Sequence, residues 1–337
     1  MPSFSQRIDQ EELIAFAQRL IQTPSLSGEE APVAQLIAAE MQRLGYDEVT
    51  IDEAGNVVGR VKGTLPGPAL LFNSHMDHVP PGMMAEPYSA RIVDGARWGY
   101  AEPVLYGRAA LDMKGPLAAT VHAAGAAIKA GKRFKGEVIV TCVVKEEEAR
   151  GAGILYLLER GLRADYAVSA EASRNLIYLG HRGKMEFLCK VKGRTSHAAN
   201  PARGVNAIFK AMDFLHEMRA SYRLPTHPFL GACTWTVIDI AAQPGRNTPI
   251  VPDDCEFVLD RRFLPDESPA SIERELRAIA ARLAARDPDF YIEFILNKNF
   301  PAMFTPPDSP IVKKMLVARK AVLEEAVSNL ELGAWLF

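Results

Sequence analysis

The sequence lacks any apolar run long enough to cross a membrane and lacks a strong excess of charge. A membrane-spanning helix needs about 18 consecutive apolar residues, and no stretch of the 337 residues reaches that length. The formal net charge is −2, whereas nucleic-acid-binding domains usually carry a basic excess. The N-terminal segment MPSFSQRIDQEEL is polar and has no apolar core of the kind that a signal peptide carries. We therefore expect a cytoplasmic globular protein that binds neither membranes nor nucleic acid.

Cysteine is also scarce. The four cysteines, Cys142, Cys189, Cys233 and Cys255, lie far apart and form no CxxC pair. This spacing argues against a disulfide framework and against a structural zinc knot, and predicts reduced, mostly buried thiols. With 48% hydrophobic and 24% charged residues, the composition is that of an ordinary globular protein with a sizeable core.

The first half of the chain alternates helical and extended patterns. Two amphipathic helices come first, and Ser27 followed by Glu30 has the spacing of a capping box at the start of the second. Strands and helices then alternate, and one almost continuously apolar strand predicts burial on both faces of a sheet. We predict a three-layer α/β/α domain with a mixed sheet. The expected strands are 56–61, 69–73, 137–144 and 166–169, with helices at 114–130 and 151–160.

The second half follows a different order. Between residues 184 and 296 the predicted elements run β-α-β-β-α-β, the order of a ferredoxin-like unit. This unit has the character of an inserted lid, after which a helix beginning near Ser309 resumes the first domain. We predict a catalytic domain over 1–179, a lid or dimerisation domain over 180–297, and the resumed catalytic domain over 298–337.

His75 and Asp77 follow the apolar strand 69–73 directly. Residues two apart on an extended segment point to the same side, and the carboxyl ends of strands are where open α/β sheets place their ligands. The pair suits a metal ligand with an orienting carboxylate, but a hydrogen-bonded His–Asp pair without metal fits the spacing equally well. His78 points the other way, which favours a structural or rim position.

Three further acidic positions follow strands or a glycine-rich turn. Asp112 precedes a helix, where it could also serve as an N-cap. Glu146, Glu147 and Glu148 follow the buried strand, where a solvated loop is the simpler alternative, and Glu171 follows the next strand. Because these carboxylates and one histidine emerge at successive strand ends, together they predict a site for divalent cations.

These motifs resemble the M20 metallopeptidase family. The resemblance is carried by S-H-M-D-H-V-P, G-R-A-A-L-D-M-K-G, G-E-V-I-V-T-C-V-V-K-E-E and A-D-Y-A-V-S-A-E-A-S, and continues in K-G-R-T-S-H-A-A-N-P, P-G-R-N-T-P-I-V-P-D and L-D-R-R-F-L-P. It covers essentially the whole chain in the same order. The family includes acetylornithine deacetylase, succinyl-diaminopimelate desuccinylase, aminoacylases and glutamate-releasing carboxypeptidases.

The resemblance implies a dinuclear zinc site, for which Co²⁺ or Mn²⁺ are alternatives. His75 and Glu171 would bind one zinc ion, Glu147 would bind the other, and Asp112 would bridge them. Two such ions polarise a scissile carbonyl and lower the pKa of bound water toward about 7.

The resemblance also implies roles around the ligands. Asp77 would orient His75, and Glu146 would be the general base that moves the proton of the attacking water. We prefer Glu146 and Glu147 as the functional pair over a register that includes Glu148. Family members also tend to have a cis peptide after the bridging aspartate, here between Asp112 and Met113.

Three residues of the insertion resemble family positions that contact substrate. His197 would reach the active site of the partner subunit in a homodimer and stabilise the oxyanion, although a surface histidine that caps the next turn is the simpler alternative. Asn247 and Arg262 would bind a substrate carboxylate, because a guanidinium matches it with two hydrogen bonds. Strand alternation predicts that Arg261 points away from Arg262 and is either solvated or paired with an acid.

One expected ligand is absent from the sequence. The family completes its second metal site with a histidine near the C-terminus, but the last of the seven histidines here is His227. The sequence also ends on the apolar segment Leu332–Phe337, and natural termini are usually polar. We expect a C-terminally truncated polypeptide that lacks one zinc ligand.

The expected activity is hydrolysis of an amide bond. The resemblance favours a deacylase of N-acyl amino acids over a dipeptidase or carboxypeptidase, and the motifs around the metals do not separate these. A non-catalytic binding or dimerisation protein is the alternative from a different class. The presence of both Asp112 and Glu146 argues against that alternative, because a scaffold needs no base beside a bridging carboxylate.

Overall fold

The computed structural model describes residues 7–132, 134–148, 151–245, 248–323 and 332–335. The chain divides into two compact units, Met1–Asn175 and Leu176–Phe337. Among the described residues, no helix is both long enough and apolar enough to cross a membrane. The four cysteines are free and buried, as the sequence predicts. The three-part division at residues 179 and 297 stays a prediction.

The first unit is built on a five-stranded mixed sheet. Its spatial order is β1-β2-β6-β3-β7, in which β6, β3 and β7 are parallel while β1 and β2 run antiparallel to their neighbours. The other two strands of this unit form a separate hairpin. The strands are β1 (Glu48–Ile51), β2 (Val57–Lys62), β3 (Leu65–His75), β4 (Arg91–Val93), β5 (Val104–Tyr106), β6 (Lys135–Val143) and β7 (Tyr166–Ser169).

Helices cover both faces of this sheet. Val140 and Cys142 of β6 pack into the core formed with three helices, whereas Ile139 and Val143 pack into a second core on the opposite face. The apolar run of β6 is therefore buried on both sides, as a central strand of a three-layer domain requires. The helices are α1 (Gln10–Gln22), α2 (Ala31–Leu44) and α3 (Gly115–Lys129) on the first face, and α4 (Ala152–Glu159) on the second.

The second unit contains the predicted ferredoxin-like arrangement. Its four-stranded antiparallel sheet has the order β12-β13-β9-β14, and α5 and α6 pack on one face. A separate sheet pairs β8 with β15 and β16. The elements are β8 (Ile177–His181), β9 (Gly183–Lys192), α5 (Ala207–Ser221), β10 (Thr226–His227), β11 (Gly231–Ala232), β12 (Thr234–Gln243), β13 (Asp254–Phe263), α6 (Pro269–Ala284), β14 (Tyr291–Phe300), β15 (Met303–Phe304), α7 (Pro310–Leu323) and β16 (Leu332–Trp335).

One local prediction is wrong. Ser27 and Glu30 do not form a capping box, because α2 begins at Ala31 with Glu30 as its N-cap residue and no side chain caps its amides. Pro32 lies in the first turn, which leaves one amide donor fewer to satisfy. The side chains of Ser27 and Glu30 instead bond to residues far along the chain, Asp77 and Lys145.

Candidate functional site

Three neighbouring parallel strands of the first unit end at the same edge of the sheet. His75 is the last residue of β3, and Asp77 lies two residues beyond it. Glu146 and Glu147 follow the end of β6, and Glu171 follows the end of β7. Because the carboxyl ends of parallel strands meet at one edge, the topology brings these side chains together.

Asp112 reaches the same place from a distorted turn, Ala110–Lys114, that precedes α3. Asp112 itself has extended backbone angles inside this turn, and the Asp112–Met113 peptide is cis, as the resemblance predicts. Its carboxylate is more than half exposed. It therefore faces the open side of the site and does not act as a helix N-cap.

The nitrogen and oxygen donors of the site converge on a small volume. His75 Nε2 lies 3.0 Å from Asp112 Oδ1 and 3.7 Å from Glu171 Oε1. One donor atom from each of His75, Asp112 and Glu147 lies within 4.8 Å of the other two. One imidazole and three carboxylates are a donor set that zinc and related divalent cations bind.

Asp77 connects several residues of this edge through hydrogen bonds. Its carboxylate is fully buried. Oδ2 accepts hydrogen bonds from Ser27 Oγ at 2.6 Å and from the Glu147 amide at 3.1 Å, and Oδ1 accepts from the Glu146 amide at 3.1 Å. The carboxylate also lies 3.4 Å from His75 Nδ1. The Asp77 backbone carbonyl lies closer still to His75 Nδ1, at 3.0 Å, so Asp77 contacts the imidazole and the backbone amides of both glutamates.

The hydrogen bonds to Asp77 keep it ionised. Burial alone would raise the pKa of Asp77, but the bonds from His75, Ser27 and the two amides lower it to about 2. With Nδ1 of His75 against the carbonyl and carboxylate of Asp77, Nε2 faces Asp112 and Glu171, an arrangement that suits a metal-binding imidazole.

The other carboxylates crowd one another. Burial raises the pKa of Glu171 to about 7, and the nearby charges of Asp112 and Glu146 act in the same direction. Burial also raises the pKa values of Glu146 and Glu147. For His75, burial lowers the pKa but the surrounding carboxylates raise it to about 11. Such a concentration of negative charge favours the binding of a divalent cation.

Lys114 is a residue of this region that the sequence patterns do not assign a role. Its side chain is fully buried, and Nζ donates to the carbonyl oxygens of Leu20 at 2.9 Å and Thr23 at 2.7 Å. These carbonyls belong to the C-terminal end of α1 and the residue following it. Lys114 therefore fixes the Asp112 turn to α1, and burial lowers the pKa of Lys114 to about 7.

Ser27 and Glu30 are the other positions that sequence reasoning misses. Glu30 is buried, and its Oε1 accepts a hydrogen bond of 3.0 Å from the Lys145 amide.

His78 is buried as well and plays a structural role, because its Nε2 accepts from the Ser25 amide at 3.0 Å. Glu148 is exposed, unlike Glu146 and Glu147.

The remaining predicted residues belong to the second unit. His197 is exposed, and its Nδ1 accepts from the Ala199 amide at 3.1 Å. Arg262 is partly buried, and its Nε donates to Asp260 Oδ1 at 2.8 Å. Asn247 lies outside the described residues.

Arg261 shows which of its two predicted environments is right. Its side chain is almost completely buried and pairs with Glu267 at 2.6 Å. The solvated alternative is therefore wrong. Residues on this side of β13 face α5 and α6, so Arg261 points toward the helices while Arg262 points to the other face of the sheet.

Comparison with known proteins agrees with this architecture. Residues 179–288 match the peptidase dimerisation domain of the M20 family. Succinyl-diaminopimelate desuccinylase of Azoarcus sp. (strain BH72) is 30% identical over 284 residues, which cover 80% of this chain and 72% of that protein. The chain belongs to the M20 metallopeptidase family. This family of metal-dependent hydrolases fits the donor set at the edge of the sheet.

Other similar proteins extend the comparison. The uncharacterized protein YgeY of Escherichia coli (strain K12) is 33% identical over 280 residues, which cover 81% of this chain but only 66% of YgeY. Aminopeptidase PepT of Bacillus cereus shares the fold with a TM-score of 0.74 at 20% identity, over 98% of this chain and 85% of PepT. The Bacillus subtilis YXEP protein, described as a dinuclear metal-binding peptidase of the M20 family, has a TM-score of 0.70 at 17% identity, over 96% and 83% of the two chains.

Proposed function

We propose that this M20 protein is a zinc-dependent hydrolase that cleaves the amide bond of N-acyl amino acids or short peptides. The observation that carries the proposal is the convergence of His75, Asp112, Glu147 and Glu171 beside Glu146. His75 and Glu171 would hold one ion, Glu147 the other, and Asp112 both. When bound, the metal ions polarise the scissile carbonyl and acidify a bound water.

Glu146 is the residue best placed to move a proton. It is adjacent in sequence to the ligand Glu147, and Asp77 fixes the backbone amides of both. Burial raises the pKa of Glu146 above that of an ordinary glutamate. A general base works best when its pKa lies near the working pH, because it must both accept a proton and return it to the leaving amine. Glu146 would therefore act as general base and then as general acid.

An acylated amino acid is the substrate class that we favour. Arg262 lies on the helix-free face of its sheet, where Nε and Nη2 donate to the two oxygens of Asp260 at 2.8 and 3.5 Å. We assign the remaining nitrogen, Nη1, to a substrate carboxylate. We assign the same function to Asn247 and the stabilisation of the oxyanion to His197. The desuccinylase name of the Azoarcus relative supports a deacylase. The peptidase names of PepT and YXEP support a dipeptidase or carboxypeptidase as the second candidate.

A homodimer is part of the proposal. The match of residues 179–288 to a peptidase dimerisation domain supports association of two chains through the second unit. In such a dimer each His197 would serve the partner's site. A mixture of the two inactive variants His197→Ala and Glu146→Ala should then regain activity, because in a heterodimer His197 of the Glu146→Ala chain completes the intact site of the His197→Ala chain.

The test compares Glu146→Ala with Glu148→Ala in the zinc-loaded protein. Release of free amine is measured from a panel of N-acetyl and N-succinyl amino acids and dipeptides. Loss of a general base should lower kcat by about 10²–10⁴-fold with the zinc content unchanged, whereas the exposed neighbour Glu148 should be dispensable. Equal activity of the two variants would contradict the assignment, and a wild-type protein that binds zinc but cleaves none of the panel would favour a non-catalytic binding protein.

A further inference from the structure

The loop that leads into α2 bonds to the site instead of capping its own helix. Ser27 donates to Asp77, 50 residues later, and Glu30 accepts from the Lys145 amide, 115 residues later. Both contacts join this loop to the carboxyl edge of the sheet. The side chains that local sequence would use for capping are therefore committed to the segment that carries Glu146.

The three successive backbone amides of residues 145–147 donate hydrogen bonds to carboxylates. The Lys145 amide donates to Glu30 Oε1 at 3.0 Å, and the Glu146 and Glu147 amides donate to the two oxygens of Asp77 at 3.1 Å. Lys145 has a φ of 53°, in the left-handed region that a residue with a Cβ rarely adopts. The turn that presents Glu146 is held in this conformation by hydrogen bonds from outside the segment.

Glu30 is an unusual residue for this position. It is only 4% exposed, and a buried carboxylate is costly unless it accepts hydrogen bonds. Among the described residues, no lysine, arginine or histidine forms an ion pair with Glu30, unlike the similarly buried Glu40 of α2, which pairs with Arg19 and Arg43. The Lys145 amide is therefore the contact that accounts for a carboxylate at residue 30.

We propose that Glu30 is a positioning residue for Glu146. By holding the Lys145 amide, it fixes the left-handed turn and hence the direction in which the Glu146 carboxylate leaves the backbone. Ser27 supports the same arrangement through Asp77. The proposal rests on the proposed function of Glu146, because a small displacement of a proton-transferring group lowers the rate of the chemical step more than it lowers binding.

The test uses two substitutions of similar size at residue 30. Glu30→Gln retains a carbonyl oxygen that can accept from the Lys145 amide, whereas Glu30→Met retains the length without that acceptor. Glu30→Met should lower kcat by about tenfold or more, with KM and zinc content within about twofold of wild type. Glu30→Gln should recover kcat to within about threefold, because the hydrogen bond persists.

Two controls separate positioning from general loss of stability. Glu29→Met changes the exposed neighbour and should leave kcat unchanged. Glu40→Gln removes a buried charge from α2 and should lower thermal stability without a selective loss of kcat in the folded fraction. A kcat loss in Glu30→Met no larger than in Glu40→Gln, or equal losses in Glu30→Gln and Glu30→Met, would overturn the proposal.

Amide hydrogen exchange supplies a readout that does not need turnover. Exchange at residues 145–147 should accelerate in metal-free Glu30→Met but not in Glu30→Gln or Glu40→Gln. If wild type cleaves no amide substrate, the proposed function fails, while this exchange pattern still decides whether Glu30 holds the turn. Unchanged exchange in Glu30→Met overturns the positioning role whatever the activity.

Discussion

The two units each contain a cluster of charged side chains, and the clusters differ in their balance of acidic and basic groups. In the second unit, Glu186 is buried between Lys184 at 2.8 Å and Lys298 at 2.8 Å, and Asp260 pairs with Arg262 at 2.8 Å. Each acid of this cluster has a basic partner. At the carboxyl edge of the first sheet, five carboxylates surround a single histidine. Lys114, the buried lysine of the Asp112 turn, donates to the backbone carbonyls of Leu20 and Thr23.

The titration of the two clusters reflects this difference. Burial would raise the pKa of Glu186, but the hydrogen bonds from its two lysines lower it. For Glu171, burial and neighbouring carboxylates raise the pKa to about 7 despite the charge on His75. Acids in a balanced cluster support the fold, whereas acids that outnumber the neighbouring cationic side chains favour a cation from solution that completes the site.

The largest effect should come from removing the imidazole from the unbalanced cluster. His75→Ala takes away the nitrogen donor that faces Asp112 and Glu171, so we expect zinc affinity to fall by at least about 100-fold and amide hydrolysis to be lost. Zinc competition with a chromophoric chelator measures the affinity. Glu186→Gln is the matched control in the balanced cluster and should retain zinc; retention of zinc by His75→Ala would show that the donors lie elsewhere.

The pH dependence of metal binding sharpens the comparison. In the metal-free protein the pKa of Glu171 is about 7 and that of His75 about 11, and both must lose their protons to bind a metal. Affinity should therefore fall by about tenfold per pH unit between pH 11 and 7, where His75 alone must lose a proton, and by about 100-fold per unit below pH 7, where Glu171 must lose one as well. Calorimetry in buffers of different ionisation enthalpy would count the protons released. An affinity that is constant between pH 5 and 7 would exclude Glu171 and His75 as ligands.

The smallest effect should come from the balanced cluster itself. Glu186→Gln leaves Lys184 and Lys298 facing each other without a carboxylate between them, and we expect it to lower the free energy of unfolding by about 1–3 kcal/mol. Urea denaturation measures this change. The exposed Glu293 on β14 provides the control, since Glu293→Gln should change the free energy of unfolding by less than about 0.5 kcal/mol. Equal effects would mean that the cluster adds no stability.

The sequence predicts this fold best where the pattern depends on burial alone. Strand 166–169 coincides with β7, and the apolar run 137–144 lies within one or two residues of β6. The β4–β5 hairpin and β8 escape prediction because their short runs have no distinct periodicity. Residues at strand ends, such as His75 and Glu171, can be found because strand direction alone decides where they emerge.

Residues that depend on distant partners could not be found in this way. Ser27 and Glu30 match a helix cap in local spacing, and only the folded chain shows that Asp77 and Lys145 compete for them. The same limit applies to Arg261, whose burial depends on Tyr222 and Glu267. Local spacing shows which residues are able to cap a helix or to face one side of a strand. Tertiary hydrogen bonds decide which partners their side chains have in the folded protein.

The attachment of Lys114 to the end of α1 has a consequence for the order of folding. The donors and their supports come from five separate stretches of chain, and Lys114 reaches back 94 residues to Leu20. Closing such loops is slow compared with forming a helix, and its entropy cost must be met before these contacts stabilise the chain. We therefore expect this carboxyl edge of the sheet to form after the N-terminal helices have docked. Metal uptake during refolding would then mark completion of the first unit and would not nucleate it.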